Sequence, residues 1–174
     1  QESGPDSVYF MGSAKFSNEQ AYLYRKFAAM WGTNNVDHSA RIGHSTTVAG
    51  VANTWGYGAQ TNSINDMRNA KSMIFIGSNP TEAHPVAMQH ILEGKERGAK
   101  VIVVDPRFTH TAAKCDEYIH IRSGTDIPFI YGLLWHIFDN GWQAQEFIDE
   151  RVYGISRIQD ACKNWTPEEV ENVV

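Results

Sequence analysis

The segment KVIVVDPR, residues 100–107, constrains the fold more than any other part of the chain. Val101, Ile102, Val103 and Val104 form an unbroken β-branched run. A strand with one wet face alternates apolar and polar residues, whereas an unbroken run suits a parallel strand covered on both faces. The strand at KSMIFI, residues 71–76, has the same texture and ends in the turn residues Gly77-Ser78-Asn79-Pro80. The stretch EAHPVAMQHILEGKERGA that follows reads as one helix, which Pro85 can enter only near its first turn and which Gly98 closes. A further strand is expected in DEYIHIR, and a helix in TDIPFIYGLLWHIFDNG with Pro128 near its start.

The rest of the chain keeps this rhythm. SVYFMGS reads as a short buried strand. Ser17 then caps a helix with an apolar face of Tyr22, Phe27, Met30 and Trp31, stopped by Gly32. Residues 33–58 are rich in Asn, Thr, Ser, His and Gly. They read as loop, with one short helix over residues 45–53 beginning at hydroxyl side chains. INDMRNA, QAQEFIDERV and TPEEVENVV read as further short helices. Strands alternating with helices predict an α/β fold: an open, mostly parallel sheet flanked by helices, in a single domain over residues 1–174.

Charge and composition exclude some functions. A net charge of −5 argues against a nucleic-acid-binding surface, which is normally basic. No apolar run approaches the roughly 18 residues of a membrane span. QESGPDSVYF has no signal-peptide pattern. Cys115 and Cys162 lack metal-site spacing and read as ordinary thiols.

Open parallel sheets bind ligands beyond the C-terminal ends of their strands. Three such ends carry distinctive residues. After Ile76, Gly77 lets the backbone turn, and Asn79 offers a donor and an acceptor where a helix begins, a place that suits phosphate. After Val104, Asp105 can accept from ribose hydroxyls or a base amino edge, and Arg107 can hold phosphate bidentately. At residues 122–126, Gly124, Thr125 and Asp126 combine a turn glycine, a hydroxyl and a carboxylate. Each of these residues also serves as an ordinary cap or turn residue, but three such loops at corresponding strand ends point to a nucleotide-bearing ligand.

The polar loop holds His38 and His44, each able to ligate a metal or act as a general base. Arg41 fits an anionic substrate or a surface ion pair. His84 reads as tied to its loop, His90 and His136 as packing residues, and His110 and His120 have no distinctive setting.

These motifs, taken together and in order, carry a family resemblance over nearly the whole chain. GSAKFSNEQAYLYRKF, GTNNVDHSARIGHSTTVAG, GYGAQTNSINDMRNA, GSNPTEAHPV, VIVVDPRFTHTA and RSGTDIP resemble the catalytic (alpha) subunit of molybdenum- or tungsten-dependent formate dehydrogenases, within the molybdopterin oxidoreductase superfamily. In that family the ARxxH loop carries a selenocysteine or cysteine directly before the histidine. It ligates the metal of a bis(molybdopterin guanine dinucleotide) cofactor, as a soft ligand suits a sulfur-coordinated metal. Here Gly43 stands at the ligand position and His44 follows it. The resemblance implies that His44 assists proton removal from formate or helps to position it. It further implies that Gly77, Asn79, Glu82, Asp105, Arg107, Gly124, Thr125 and Asp126 bind one guanine dinucleotide arm.

The departures define further expectations. Gly43 supplies no metal ligand, and no cysteine-rich segment for the family's 4Fe-4S cluster is present. The chain reads as an excised middle domain of a larger subunit, inactive on formate by itself. Its implied partners are the remaining domains of that subunit, an iron–sulfur electron-transfer subunit and formate, with a periplasmic setting. Selenocysteine is encoded by a codon that ordinarily stops translation. A recoded or engineered residue is therefore expected at position 43, and natural loss of the ligand is the alternative. Two other readings stay open: another molybdopterin oxidoreductase such as a nitrate reductase relative, and a non-catalytic nucleotide-binding domain.

Overall fold

The computed structural model describes residues 2–174, which fall into two compact units divided between Thr61 and Asn62.

In the first unit, β1 (Phe10–Gly12) runs parallel to β2 (Val36–His38), with Phe10 opposite Val36 and Gly12 opposite His38. The helix α1 (Asn18–Trp31) joins them, so the segment is a β–α–β crossover. Ser17 sets the start of α1 through a capping box: its hydroxyl accepts from the Gln20 N–H while Gln20 reaches back to the Ser17 N–H. Gly32 ends the helix at φ 95°, a left-handed conformation that favours glycine. Phe10 is buried and meets Tyr24, Phe27 and Trp31 edge-on. Leu23, Phe27 and Met30 nevertheless lie 61%, 54% and 80% exposed, an apolar stripe at helical spacing facing solvent.

The strand β2 corrects the reading of residues 33–58 as loop plus one helix. Val36 is its single aliphatic residue, and pairing with β1 rather than local pattern makes it a strand. The helix in this region, α2 (His44–Trp55), is also longer than expected. Its hydroxyls do not cap it. Ser45, Thr46 and Thr47 donate back to the carbonyls of Arg41, Ile42 and Gly43, respectively.

In the second unit, β3 (Ser72–Ile76), β4 (Lys100–Val104) and β5 (Glu117–Ile119) form a wholly parallel sheet in that order. The central strand β4 holds Val103 and Val104 fully buried, as its unbroken β-branched run predicts. Met88 and Ile91 of α4 (Ala87–Glu96) pack with Met73, Ala99 and Val101. A Cβ on Gly94 would stand 2.9 Å from the Met67 carbonyl oxygen, so glycine lets α4 lie against the 3₁₀ turn Ile64–Asn69.

The single helix expected after β3 is instead two. The short α3 (Pro80–Ala83) ends at His84, and α4 begins at Ala87 beyond Pro85. Proline disfavours helical backbone in the residue before it, and His84 sits at φ −141°, ψ 62°. The remaining helices are α5 (Asp126–Asp139), α6 (Gln145–Arg151), α7 (Ile155–Cys162) and α8 (Pro167–Val173). Val170 of α8 lies so close to Gly132 of α5 that an added Cβ would meet its Cγ2 at 2.8 Å. His136 is exposed rather than packed inside, with its ring edge-on to Trp135.

The expected class, α/β with parallel sheets flanked by helices, is the one observed, distributed over two small sheets. Among the described residues no helix is long and apolar enough to cross a membrane.

Candidate functional site

Parallel strands bring their C-terminal ends to one edge. The ladder continues past β3 and β4: the Gly77 N–H donates to Val104 O at 2.9 Å, and the Asp105 N–H donates to Ile119 O at 3.1 Å. Gly77 adopts φ 58°, so the chain turns there as a residue with a side chain rarely does. The loops after β3 and β4 thus leave the sheet side by side.

Between these loops is a polar cluster. Asn79 is the N-cap of α3, yet its side chain makes no capping bond. Its Oδ1 accepts from the hydroxyl of Thr111 at 2.7 Å instead. Glu82 Oε1 lies 2.9 Å from His110 Nδ1. The Asn79 carboxamide, with His110 and Arg107 beyond it, holds the Glu82 carboxyl below the usual carboxylate range. Asp105 Oδ1 accepts from the Arg107 N–H at 2.8 Å, and Tyr118 donates its phenol proton to Asp105 O at 2.8 Å. Burial, then the nearby Asp105, raises the Tyr118 phenol, so it stays a donor.

The structure therefore brings Gly77, Asn79 and Glu82 together with Asp105 and Arg107. Gly124, Thr125 and Asp126 stand beyond the neighbouring strand β5. Gly124 has φ 86°, and Thr125 is buried and donates to Arg122 O at 2.6 Å, tying its own loop. In the sequence Thr111 carries no functional signal and His110 has no distinctive setting. Their link to Asn79 and Glu82 is long-range, and no local pattern announces it.

Gly43 and His44 lie in the first unit. Gly43 is the N-cap of α2 in right-handed helical conformation, φ −95° and ψ −55°. A Cβ built there would meet nothing within 4 Å. Neither conformation nor space requires glycine. His44 opens α2 and is exposed. His38 Nδ1 accepts from the Ala40 N–H at 3.0 Å. Arg41 pairs with Asp37 at 3.3 Å, which fits the surface ion-pair reading. The His38 N–H, followed by Arg41, holds the Asp37 carboxyl below its ordinary range. Beyond the ends of β1 and β2, a cleft of about 370 Å³ is lined by Gly12, Ser17, Tyr24, Arg25, Asp37 and His38.

Chemically, the second unit's cluster offers what a nucleotide needs. An ionised carboxylate accepts from base or ribose donors, and a guanidinium holds phosphate. Among the described residues no group of three or more His, Cys, Asp or Glu is placed to hold a metal ion. The side chains fit a nucleotide arm, and the chain contributes no metal ligand at Gly43.

A profile for the family Molybdopterin oxidoreductase matches residues 1–155. The chain is 39% identical over 169 residues to F420-dependent formate dehydrogenase 1 subunit alpha of Methanococcus maripaludis, covering 97% of this chain and 25% of that protein. It is 35% identical over 175 residues to formate dehydrogenase H of Escherichia coli, covering 99% of this chain and 24% of that protein. It therefore spans about a quarter of the length of these relatives. Among solved structures, acetylene hydratase from Pelobacter acetylenicus shares the fold with a TM-score of 0.70 over 97% of this chain and 23% of its own, at 22% identity.

Proposed function

This chain belongs to the molybdopterin oxidoreductase family, and from that premise we propose that it forms the part of a formate-oxidising enzyme that holds one guanine dinucleotide arm of the cofactor. The observation that carries this reading is the convergence of Asn79, Glu82, Arg107 and His110 where β3 and β4 end.

Each side chain has a role suited to its chemistry. Arg107 holds the pyrophosphate, for which a guanidinium fork is the best-matched donor. Asp105, its carboxylate already braced by the Arg107 N–H, accepts from ribose hydroxyls. Glu82, ionised and gripped by Asn79, accepts from N–H groups on the base edge. Gly77 keeps the first turn free of a side chain, and Gly124, Thr125 and Asp126 close the site from beyond β5. Guanine as the base follows from the family rather than from these contacts.

The chemistry the cofactor supplies when bound, with molybdenum or tungsten, is acceptance of the two electrons that formate gives up. His44 takes the accompanying proton on its imidazole, beside the position where the family resemblance implies a selenocysteine or cysteine. Open space and helical backbone at Gly43 let that position accept either residue without a backbone shift. A 4Fe-4S cluster elsewhere in the parent subunit and an iron–sulfur partner subunit would supply onward electron transfer. With no ligand at Gly43, the chain alone does not oxidise formate, and sustained formate-dependent dye reduction by the purified chain would overturn that statement.

Calorimetric titration with GDP tests the binding role. The wild-type chain binds, and Arg107→Ala binds at least about tenfold more weakly, the scale of a lost hydrogen bond to a charged group. Equal binding by both proteins would remove Arg107 from the site.

A further inference from the structure

Thr111 follows β4 and is 1% exposed. Its hydroxyl oxygen lies 2.7 Å from Asn79 Oδ1, 2.9 Å from Thr81 Oγ1 and 3.1 Å from the Thr81 backbone nitrogen. A hydroxyl has one proton and two lone pairs, so three partners use it completely. The directions follow from Asn79, whose Oδ1 faces the Thr111 hydroxyl. Because Oδ1 cannot donate, Thr111 donates to Asn79 and accepts from both the N–H and the hydroxyl of Thr81. No hydrogen-bonding capacity is left on Thr111 for a ligand. Asn79 makes no capping bond within its own helix, so the orientation of its carboxamide is set from across the sheet edge.

We propose that Thr111 is a positioning residue for nucleotide recognition: it grips Asn79 Oδ1 from the far side, and the oriented carboxamide presents itself and Glu82 to the ligand as one unit. This rests on the nucleotide-binding role proposed above. The loop after β4 thus contributes a direct contact through Arg107 and an indirect one through Thr111. The loop after β3 depends on its neighbour for its shape.

Two substitutions separate the hydroxyl from the methyl group. Thr111→Val keeps the volume and removes the hydroxyl, and Thr111→Ser keeps the hydroxyl. In the ligand-free chain, NMR titration follows the Glu82 carboxyl, which also faces His110 and Arg107. Thr111→Ser leaves its midpoint in the wild-type position, below the ordinary glutamate range, and Thr111→Val moves it upward. An unmoved Glu82 midpoint in a folded Thr111→Val chain overturns the proposal, whatever binds. With GDP as the probe, Thr111→Val weakens binding roughly twofold to tenfold, the range of one neutral hydrogen bond. Thr111→Ser restores binding, and Thr111→Val adds nothing once Asn79→Ala is present. An equal loss in both backgrounds overturns the proposal, because Thr111 would then act without Asn79. Absence of GDP binding in the wild type, with the Glu82 response intact, overturns the nucleotide role instead and leaves Thr111 orienting Asn79 for no ligand.

Discussion

Glu82 Oε1 and His110 Nδ1 stand 2.9 Å apart, joining the loop after β3 to the loop after β4. Asn79, His110 and Arg107 all hold the Glu82 carboxyl below its ordinary range. Asn79→Ala is therefore expected to raise the Glu82 titration midpoint, measured by NMR of the side-chain carboxyl. A depressed carboxylate contributes above its unfolded pKa, and that contribution is lost as pH falls through the lower folded value. The stability difference between wild type and Asn79→Ala should accordingly shrink on acidification below the ordinary glutamate range. An unmoved midpoint in Asn79→Ala would show that the carboxamide does not hold Glu82.

Gly43→Ala should stabilise the first unit by about 0.4–1 kcal/mol. The backbone there is already helical, and alanine loses less freedom on folding. Chemical denaturation followed by circular dichroism checks it. A loss of stability would mean that Gly43 is needed for folding rather than standing where a ligand residue could.

Gly94→Ala should act in the opposite direction. Its new Cβ meets the Met67 carbonyl oxygen, a backbone atom that cannot swing aside. The cost of overpacking is about 1–3 kcal/mol, and it outweighs the ~1 kcal/mol by which alanine is favoured in a helix. A lower denaturation midpoint is expected, and an unchanged one would show that the turn Ile64–Asn69 yields.

Ser17→Ala removes one arm of the capping box on α1 and should cost about 1 kcal/mol. Faster amide hydrogen exchange confined to the first turn of α1 would identify the cap as the cause. Uniform acceleration through the unit would not.

Local signals were legible where the physics is local. The β-branched run fixed β4 at Lys100–Val104, and Ser17 with Gly32 bounded α1. Three features escaped because their causes lie elsewhere. The strand β2 exists through its pairing with β1, and three residues with one aliphatic side chain carry no pattern. Pro85 reads in sequence as a first-turn residue of one helix, but helix lies on both sides of it. The helix α7 has Ile155, Ile158 and Cys162 at helical spacing but is too short for that spacing to stand out. At the site, strand-end positions were readable because parallel sheets place them together. Thr111 was not, since its partners Asn79 and Thr81 are remote in sequence.

The most direct test is a titration of the isotope-labelled chain with GDP, followed by NMR. Binding at the sheet edge predicts saturable shifts at Asn79, Glu82, Asp105, Arg107 and Asp126, with weaker effects for ADP if the proposed guanine arm is the ligand. Saturable shifts confined to other residues, or no shifts at GDP concentrations that saturate ordinary nucleotide sites, would contradict a nucleotide-holding role for this chain.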